Sequence, residues 1–119
     1  MTTQAARHYI NGEWIAEGDL APSLNPATQT SLGNAHLGSA ALTSQAASAA
    51  RHTFFTSTWA TSPRLRAQAL SEIADALATA KDEIVDLVVQ ENGKLRSEAI
   101  GETMGAISES RYYSGLCRN

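Results

Sequence analysis

The chain has 119 residues, of which 43% are hydrophobic and 18% charged, and its formal net charge is −3 at pH 7 with histidines neutral. This length predicts one domain with a small core. The nine Lys and Arg residues are scattered, which argues against a nucleic-acid surface because such a surface needs clustered cations. No stretch is apolar over the length of a membrane span, and the N-terminus lacks a signal-peptide pattern. The single cysteine, Cys117, excludes an internal disulfide and fits a reducing compartment, so we expect a cytoplasmic protein without membrane or nucleic-acid partners.

Short β-prone segments occupy the first part of the chain. Residues 1–6 are small and polar, and we expect a disordered terminus there. Residues 8–10 and 13–15 flank Asn11-Gly12, which predicts a β-hairpin because both residues tolerate the positive φ of a type I′ turn. Further along, the sequence predicts a loop at Pro22-Ser23, a proline turn at residues 25–28 and a possible third strand at residues 31–37.

Helical signals begin at Thr43, and they predict three or four helices, hence an α+β chain. Thr43 or Ser44 is the candidate N-cap of a helix that ends near Trp59. Ser62 and Pro63 start the next helix as N-cap and first helical residue. The remaining signals are a new start near Lys81, a left-handed C-cap at Gly93, and a last helix over residues 97–116 that Ser97 caps. The faces expected from the 3.6-residue period are Ala47, Ala50 and Phe54; Leu70, Ile73 and Leu77; Ile84, Leu87 and Val88; and Ile100, Met104 and Ile107, continued by Arg111 or Tyr112.

Few residues suggest chemistry by their type and spacing. Residues 33–39 have the glycine spacing of a phosphate loop but lack its lysine, so a glycine-bounded strand and turn is the favoured interpretation. Cys117 is a chemically competent nucleophile in principle, although its place at the end of the last helix favours a structural thiol. His8, His36 and His52 do not have metal-ligand spacing. The acidic residues Glu13, Glu17 and Asp19 are interpreted as a solvated loop.

Several short motifs occur in a characteristic order, and together they are more specific than any one of them. The chain resembles the N-terminal portion of the aldehyde dehydrogenase superfamily from about Tyr9 onward. The segments that carry the resemblance are INGEW at residues 10–14, NPAT at 25–28, AAR at 49–51 before Phe54-Phe55, ENGK at 91–94 and YYSGL at 112–116.

The resemblance implies an NAD- or NADP-dependent parent enzyme that oxidises an aldehyde to an acid through a cysteine thioester. Residues 7–119 would then form the N-terminal part of its Rossmann-like α/β cofactor domain, in a subunit that is expected to form a homo-oligomer. Nothing in the sequence matches the family's cofactor glycines, nucleophile or base, and Cys117 lacks the Gly-Gln that precedes the family's cysteine. We therefore expect an N-terminal fragment or truncated product that binds no cofactor alone, is inactive alone and serves as a scaffold for the remainder of the subunit.

The resemblance also implies part of a monovalent-cation site. Some family members bind such an ion through backbone carbonyls before the Asn-Pro turn and an acidic residue before the Asn-Gly-Lys helix exit. The matching positions are Ser23, Leu24 and Glu91. Glutamate replaces the more usual aspartate, and a further ligand of the family lies beyond residue 119, so a helix-end glutamate without an ion is the competing interpretation.

Two alternatives to a scaffold remain open from the residues themselves. The first alternative is a free-standing helical module that self-associates or binds a partner helix through exposed apolar faces. The second is a small enzyme that uses Cys117. Without the sheet of the parent domain, helices of this length are marginal, so a low melting temperature or an associated state is expected for the isolated chain.

Overall fold

The computed structural model describes residues 5–117 and contains, within them, four strands followed by four helices. The elements are β1 (His8–Ile10), β2 (Glu13–Ile15), β3 (Leu20–Leu24), β4 (Ser31–His36), α1 (Ala40–Thr56), α2 (Pro63–Thr79), α3 (Lys81–Asn92) and α4 (Arg96–Leu116). The chain divides between Ser57 and Thr58 into two compact units. The predicted α+β class is confirmed, with four helices. The expected disorder of the N-terminus falls mainly on residues 1–4, which lie outside the described residues; Ala6 forms a parallel bridge with Ala35.

The first hairpin forms where the sequence predicted it. Asn11 and Gly12 have φ values of 53° and 85°, as a type I′ turn requires. β1 and β2 pair antiparallel with Tyr9 opposite Trp14, and the two rings lie 4.9 Å apart between centroids. This cross-strand ring contact stabilises a hairpin whose strands have only three residues each.

A second hairpin, β3–β4, was only half predicted. The possible third strand over residues 31–37 is confirmed as β4. The loop predicted at Pro22 and Ser23 was wrong, because both residues belong to β3, which pairs antiparallel with β4. Proline is tolerated there because, among the described residues, β3 has a partner strand on one side only.

The start and the buried face of α1 differ from the prediction. Ser39 is the N-cap, and its Oγ accepts a hydrogen bond of 3.1 Å from the Leu42 amide. Thr43 is already helical and donates its hydroxyl back to the Ser39 carbonyl. Leu42 is the buried residue of α1, whereas the predicted face, Ala47, Ala50 and Phe54, is exposed. The alanine-rich sequence is weakly amphipathic, so contact with β1 rather than the periodicity decides which side is buried.

The ends of α2 and α3 agree with the prediction. Ser62 Oγ accepts from the Leu65 amide at 3.3 Å, and Pro63 is the first helical residue. α3 begins at Lys81 and ends at Asn92, and the next residue, Gly93, has a φ of 66°, which is the left-handed C-cap conformation. Each of these signals depends on one or two neighbouring residues, so it can be recognised from the sequence alone.

Among the described residues, the buried apolar core of the second unit consists of three alanines together with Val85 and Ile107. Ala74 and Ala99 are fully buried and Ala67 is 2% exposed, while Ile73 and Leu87 are 49% and 48% exposed. The predicted large-residue stripes were therefore wrong in part. Ile107 is buried as predicted, whereas Ile100 and Met104 are exposed. α4 lies mainly along α2, and alanines at the contact let two helices approach closely.

Polar contacts fix α4 against its neighbours. The buried Ser114 Oγ donates to the Ala67 carbonyl at 2.7 Å, which joins α4 to α2. Arg111 pairs with Asp75 of α2 at 3.5 Å, and Arg96 pairs with Asp86 of α3. The hydrogen bond to Asp86 raises the pKa of Arg96. The cap predicted at Ser97 was wrong, because Leu95 is the N-cap and has no side-chain capping bond.

Candidate functional site

The first part of the predicted cation site lies at the end of β3. Ser23 is half-buried opposite Gly33, and Leu24 is exposed opposite Ser31, with an irregularity in the pairing between the two positions. The following turn is held by Asn25, whose Oδ1 accepts from the amides of Ala27 and Thr28 at 2.9 and 3.2 Å. This Asx turn fixes the direction of the chain just after the two carbonyls.

The second part of the predicted cation site lies at the end of α3. Glu91 is exposed in the last turn of the helix, two residues before the left-handed Gly93. Ser23 and Leu24 belong to the first compact unit and Glu91 to the second. Oxygen ligands of this kind, two carbonyls and one carboxylate, suit a hard cation. The three residues stay a prediction for a monovalent-cation site.

The histidines and the single thiol are dispersed over several elements. His8 lies on β1, His36 ends β4 and His52 is exposed on α1. Over residues 5–117, no group of three or more His, Cys, Asp or Glu side chains is placed to hold a metal ion. Cys117 is half-buried just after α4, where its amide donates to the Tyr113 carbonyl at 3.0 Å. Its position fits a helix-end thiol, as favoured from the sequence.

The glycine-spaced segment over residues 33–39 is a strand and a helix start. Residues 33–36 belong to β4, and Ser39 caps α1. A phosphate loop needs its glycines between the strand and the helix, whereas Gly33 lies within the pairing of β4 with β3. The favoured interpretation, a glycine-bounded strand and turn, is confirmed.

Two cavities were not predicted from the sequence, because each is lined by residues from separate helical turns or separate elements. A shallow groove of about 650 Å³ runs along α2, lined by Arg64, Ala67, Gln68, Ser71 and Glu72. Gln68 donates to Glu72 at 2.8 Å within it. A smaller cavity of about 260 Å³ lies in the first unit between β1 and the start of α1 and includes His8, whose Nε2 is buried without a hydrogen-bond partner.

Comparison with known proteins identifies the protein family that the chain resembles. Residues 14–119 match the sequence profile described as the Aldehyde dehydrogenase family. The α-ketoglutarate semialdehyde dehydrogenase of Haloferax volcanii is 34% identical over 119 residues, covering 94% of this chain and 24% of that protein. Malonate-semialdehyde dehydrogenase 1 of Geobacillus kaustophilus is 32% identical over 116 residues, covering 95% of this chain and 23% of that protein.

Solved structures agree with this class at the level of the backbone. An aldehyde dehydrogenase from Bacillus cereus in complex with NAD⁺ superposes with a TM-score of 0.87 and 27% identity, over 94% of this chain and 24% of that one. An NAD-dependent benzaldehyde dehydrogenase from Corynebacterium glutamicum has the same fold, with a TM-score of 0.86 and 24% identity over 98% of this chain and 26% of that one. The chain belongs to the aldehyde dehydrogenase family.

The length of the match defines what part of the family fold is present. The chain spans about a quarter of the length of the curated relatives it matches, and it corresponds to the N-terminal part of the structural neighbours. The expectation of a nicotinamide cofactor for the family is confirmed by these neighbours. Among the helices of residues 5–117, each is too short or too polar to cross a lipid bilayer.

Proposed function

We propose that residues 7–119 are the N-terminal part of the cofactor-binding domain of an NAD- or NADP-dependent aldehyde dehydrogenase and act there as a scaffold. The observation that carries this proposal is the match of nearly the whole chain to about a quarter of its relatives, in sequence and in backbone. The parent enzyme oxidises an aldehyde to a carboxylic acid through a cysteine thioester. It is a cytoplasmic homo-oligomer, and the remainder of its subunit is the main partner of this segment.

The scaffold role is supported by how the chemistry-bearing residues are distributed. Cys117 lies at a helix end, and the three histidines lie on separate elements of the chain. The large exposed apolar side chains of the second unit, among them Ile73, Leu87 and Tyr112, are better explained by cover from other parts of a longer polypeptide than by a free-standing domain.

A direct test measures NADH formation from a simple aldehyde and NAD⁺ by the purified 119-residue chain. We expect no rate above that of buffer. A rate that disappears on substitution Cys117→Ser would refute the scaffold role and favour the small-enzyme alternative.

A second test reads the gene downstream of the codon for Asn119: we expect a glycine-rich cofactor turn and a cysteine preceded by Gly-Gln in the same frame.

The exposed apolar side chains favour one alternative function, a self-associating helical module. Light scattering of the isolated chain over a hundredfold range of concentration distinguishes the two. A discrete, saturable oligomer together with a stop codon after Asn119 would favour the module. The scaffold proposal instead expects poorly defined association that depends on concentration without reaching a fixed stoichiometry.

A further inference from the structure

The chain contains two Asn-Gly pairs, and the fold places them in different environments. Asn11-Gly12 is the turn between β1 and β2, and Asn92-Gly93 is the junction between α3 and the segment that leads to α4. All four residues are exposed. Asparagine followed by glycine is especially prone to lose its side-chain amide, because glycine has no Cβ to shield the main-chain nitrogen that attacks the carboxamide. Both pairs therefore have the same intrinsic reactivity, and a difference between them has to come from the fold.

This deamidation needs only water and the chain itself. The main-chain nitrogen of the glycine forms a bond to Cγ of the asparagine, the bond from Cγ to the side-chain nitrogen breaks, and ammonia leaves with the amide proton. Water then opens the resulting five-membered succinimide at either carbonyl, which gives aspartate or isoaspartate. One water is consumed and one ammonia is released. The reaction therefore requires a glycine amide that is free of hydrogen bonds and an asparagine that can rotate about its ψ angle.

The turn at Asn11 satisfies both conditions. It is a two-residue connection closed by the pair of Ile10 and Glu13. In such a hairpin the ladder hydrogen bonds belong to the closing pair, which leaves the Gly12 amide outside the ladder. Rotation at Asn11 costs little, because β1 and β2 have three residues each and a two-stranded ribbon of this length opens readily.

The helix end at Asn92 satisfies neither condition. Asn92 is the last residue of α3, and the Gly93 amide donates a hydrogen bond of 3.0 Å to the Val89 carbonyl. Attack by the Gly93 nitrogen therefore requires that the last turn of α3 unwinds and its left-handed cap is lost. The exposed ion pair of Arg96 with Asp86, which joins the start of α4 to α3, adds a further small restraint on this connection.

We propose that Asn11 is a site of spontaneous deamidation and isoaspartate formation in the folded protein, and that the end of α3 protects Asn92 from the same reaction. Isoaspartate carries the main chain through its side-chain carbons and so adds one atom to the backbone of the turn. The two-residue connection and the pairing of Tyr9 with Trp14 are then disrupted. Each event also adds one negative charge to a chain whose formal net charge is −3. This chemistry is independent of aldehyde oxidation.

The test incubates the purified 119-residue chain at mildly alkaline pH, after circular dichroism has verified its helices, and follows both sites by peptide mass spectrometry with fragmentation. We expect Asn11 to react at least about tenfold faster than Asn92, because only Asn92 has to wait for local unfolding of a helix end. The matched control is the same chain unfolded in guanidinium chloride. There we expect the ratio of the two rates to fall to about threefold or less, because both sites then have the same Asn-Gly chemistry in a flexible chain.

Substitution Asn11→Gln assigns the signal to its residue. Glutamine keeps a side-chain amide but has to form a larger ring, so modification of the hairpin should stop while the rate at Asn92 stays unchanged. Equal rates at Asn11 and Asn92 in the folded chain, or a faster reaction at Asn92, would overturn the proposal. A tenfold preference for Asn11 that persists in guanidinium chloride would overturn it too, because sequence context rather than the fold would then set the rates.

Discussion

The hydrogen bond between Ser114 and Ala67 offers the most direct test of the helix packing in the second unit. Ser114 is 5% exposed, and its Oγ donates to the Ala67 carbonyl at 2.7 Å across 47 positions of sequence. Substitution Ser114→Ala removes this donor. The loss of one such hydrogen bond lowers the free energy of unfolding by about 1 kcal/mol, while the higher helix propensity of alanine returns up to about 0.5 kcal/mol.

Ser110→Ala is the matched control for this substitution. Ser110 also lies in α4, and its Oγ donates to the Ala106 carbonyl at 2.8 Å, within the same helix. The propensity gain is therefore the same, but no contact between helices is lost. We expect Ser114→Ala to be less stable than Ser110→Ala by about 1 kcal/mol, measured by urea unfolding followed by circular dichroism at 10 µM or below. Equal stabilities of the two variants would refute the interhelical role of Ser114.

Three further substitutions test other parts of the structure by the same urea-unfolding measurement. Gly93→Ala should cost about 1 kcal/mol because Gly93 has φ of 66°, and Gly93→Asn should cost less; equal losses would contradict the left-handed cap. Ala74→Leu should cost about 1–3 kcal/mol, since Ala74 is fully buried on α2, whereas Ala78→Leu at an exposed site of the same helix should be nearly neutral. Gly18→Ala should destabilise the first unit far more than Gly12→Ala. Both glycines have positive φ, but only at Gly18 would a Cβ lie 2.0 Å from a backbone oxygen, that of Leu37; similar losses for the two variants would show that the loop adapts.

Local signals made a large part of this chain predictable. The Asn11-Gly12 turn, the Ser62-Pro63 helix start and the Gly93 helix end each depend on the conformational preferences of one or two residues. These preferences do not depend on tertiary contacts, so they could be recognised without a structure. The order of short motifs likewise sufficed to indicate the family, since motif residues need no knowledge of packing.

The errors share a different physical origin. The second hairpin was half missed because Pro22 disfavours a central strand but not one with a partner on a single side. Ser39 was missed as the cap of α1 because several small polar residues compete at that helix start. The strand at Pro22 and the cap of α1 both depend on contacts with neighbouring elements.

The sequence by itself determined the Asn11-Gly12 turn, the start of α2 and the end of α3, because each depends on residues close together along the chain, and the order of its motifs indicated the family. Only the tertiary structure decided which helix faces are buried. Ala74 and Ala99 lie in the core while Ile73 and Ile100 lie at the surface, because close packing of α2 against α4 favours small residues at the contact, and periodicity alone places alanine and isoleucine there equally well.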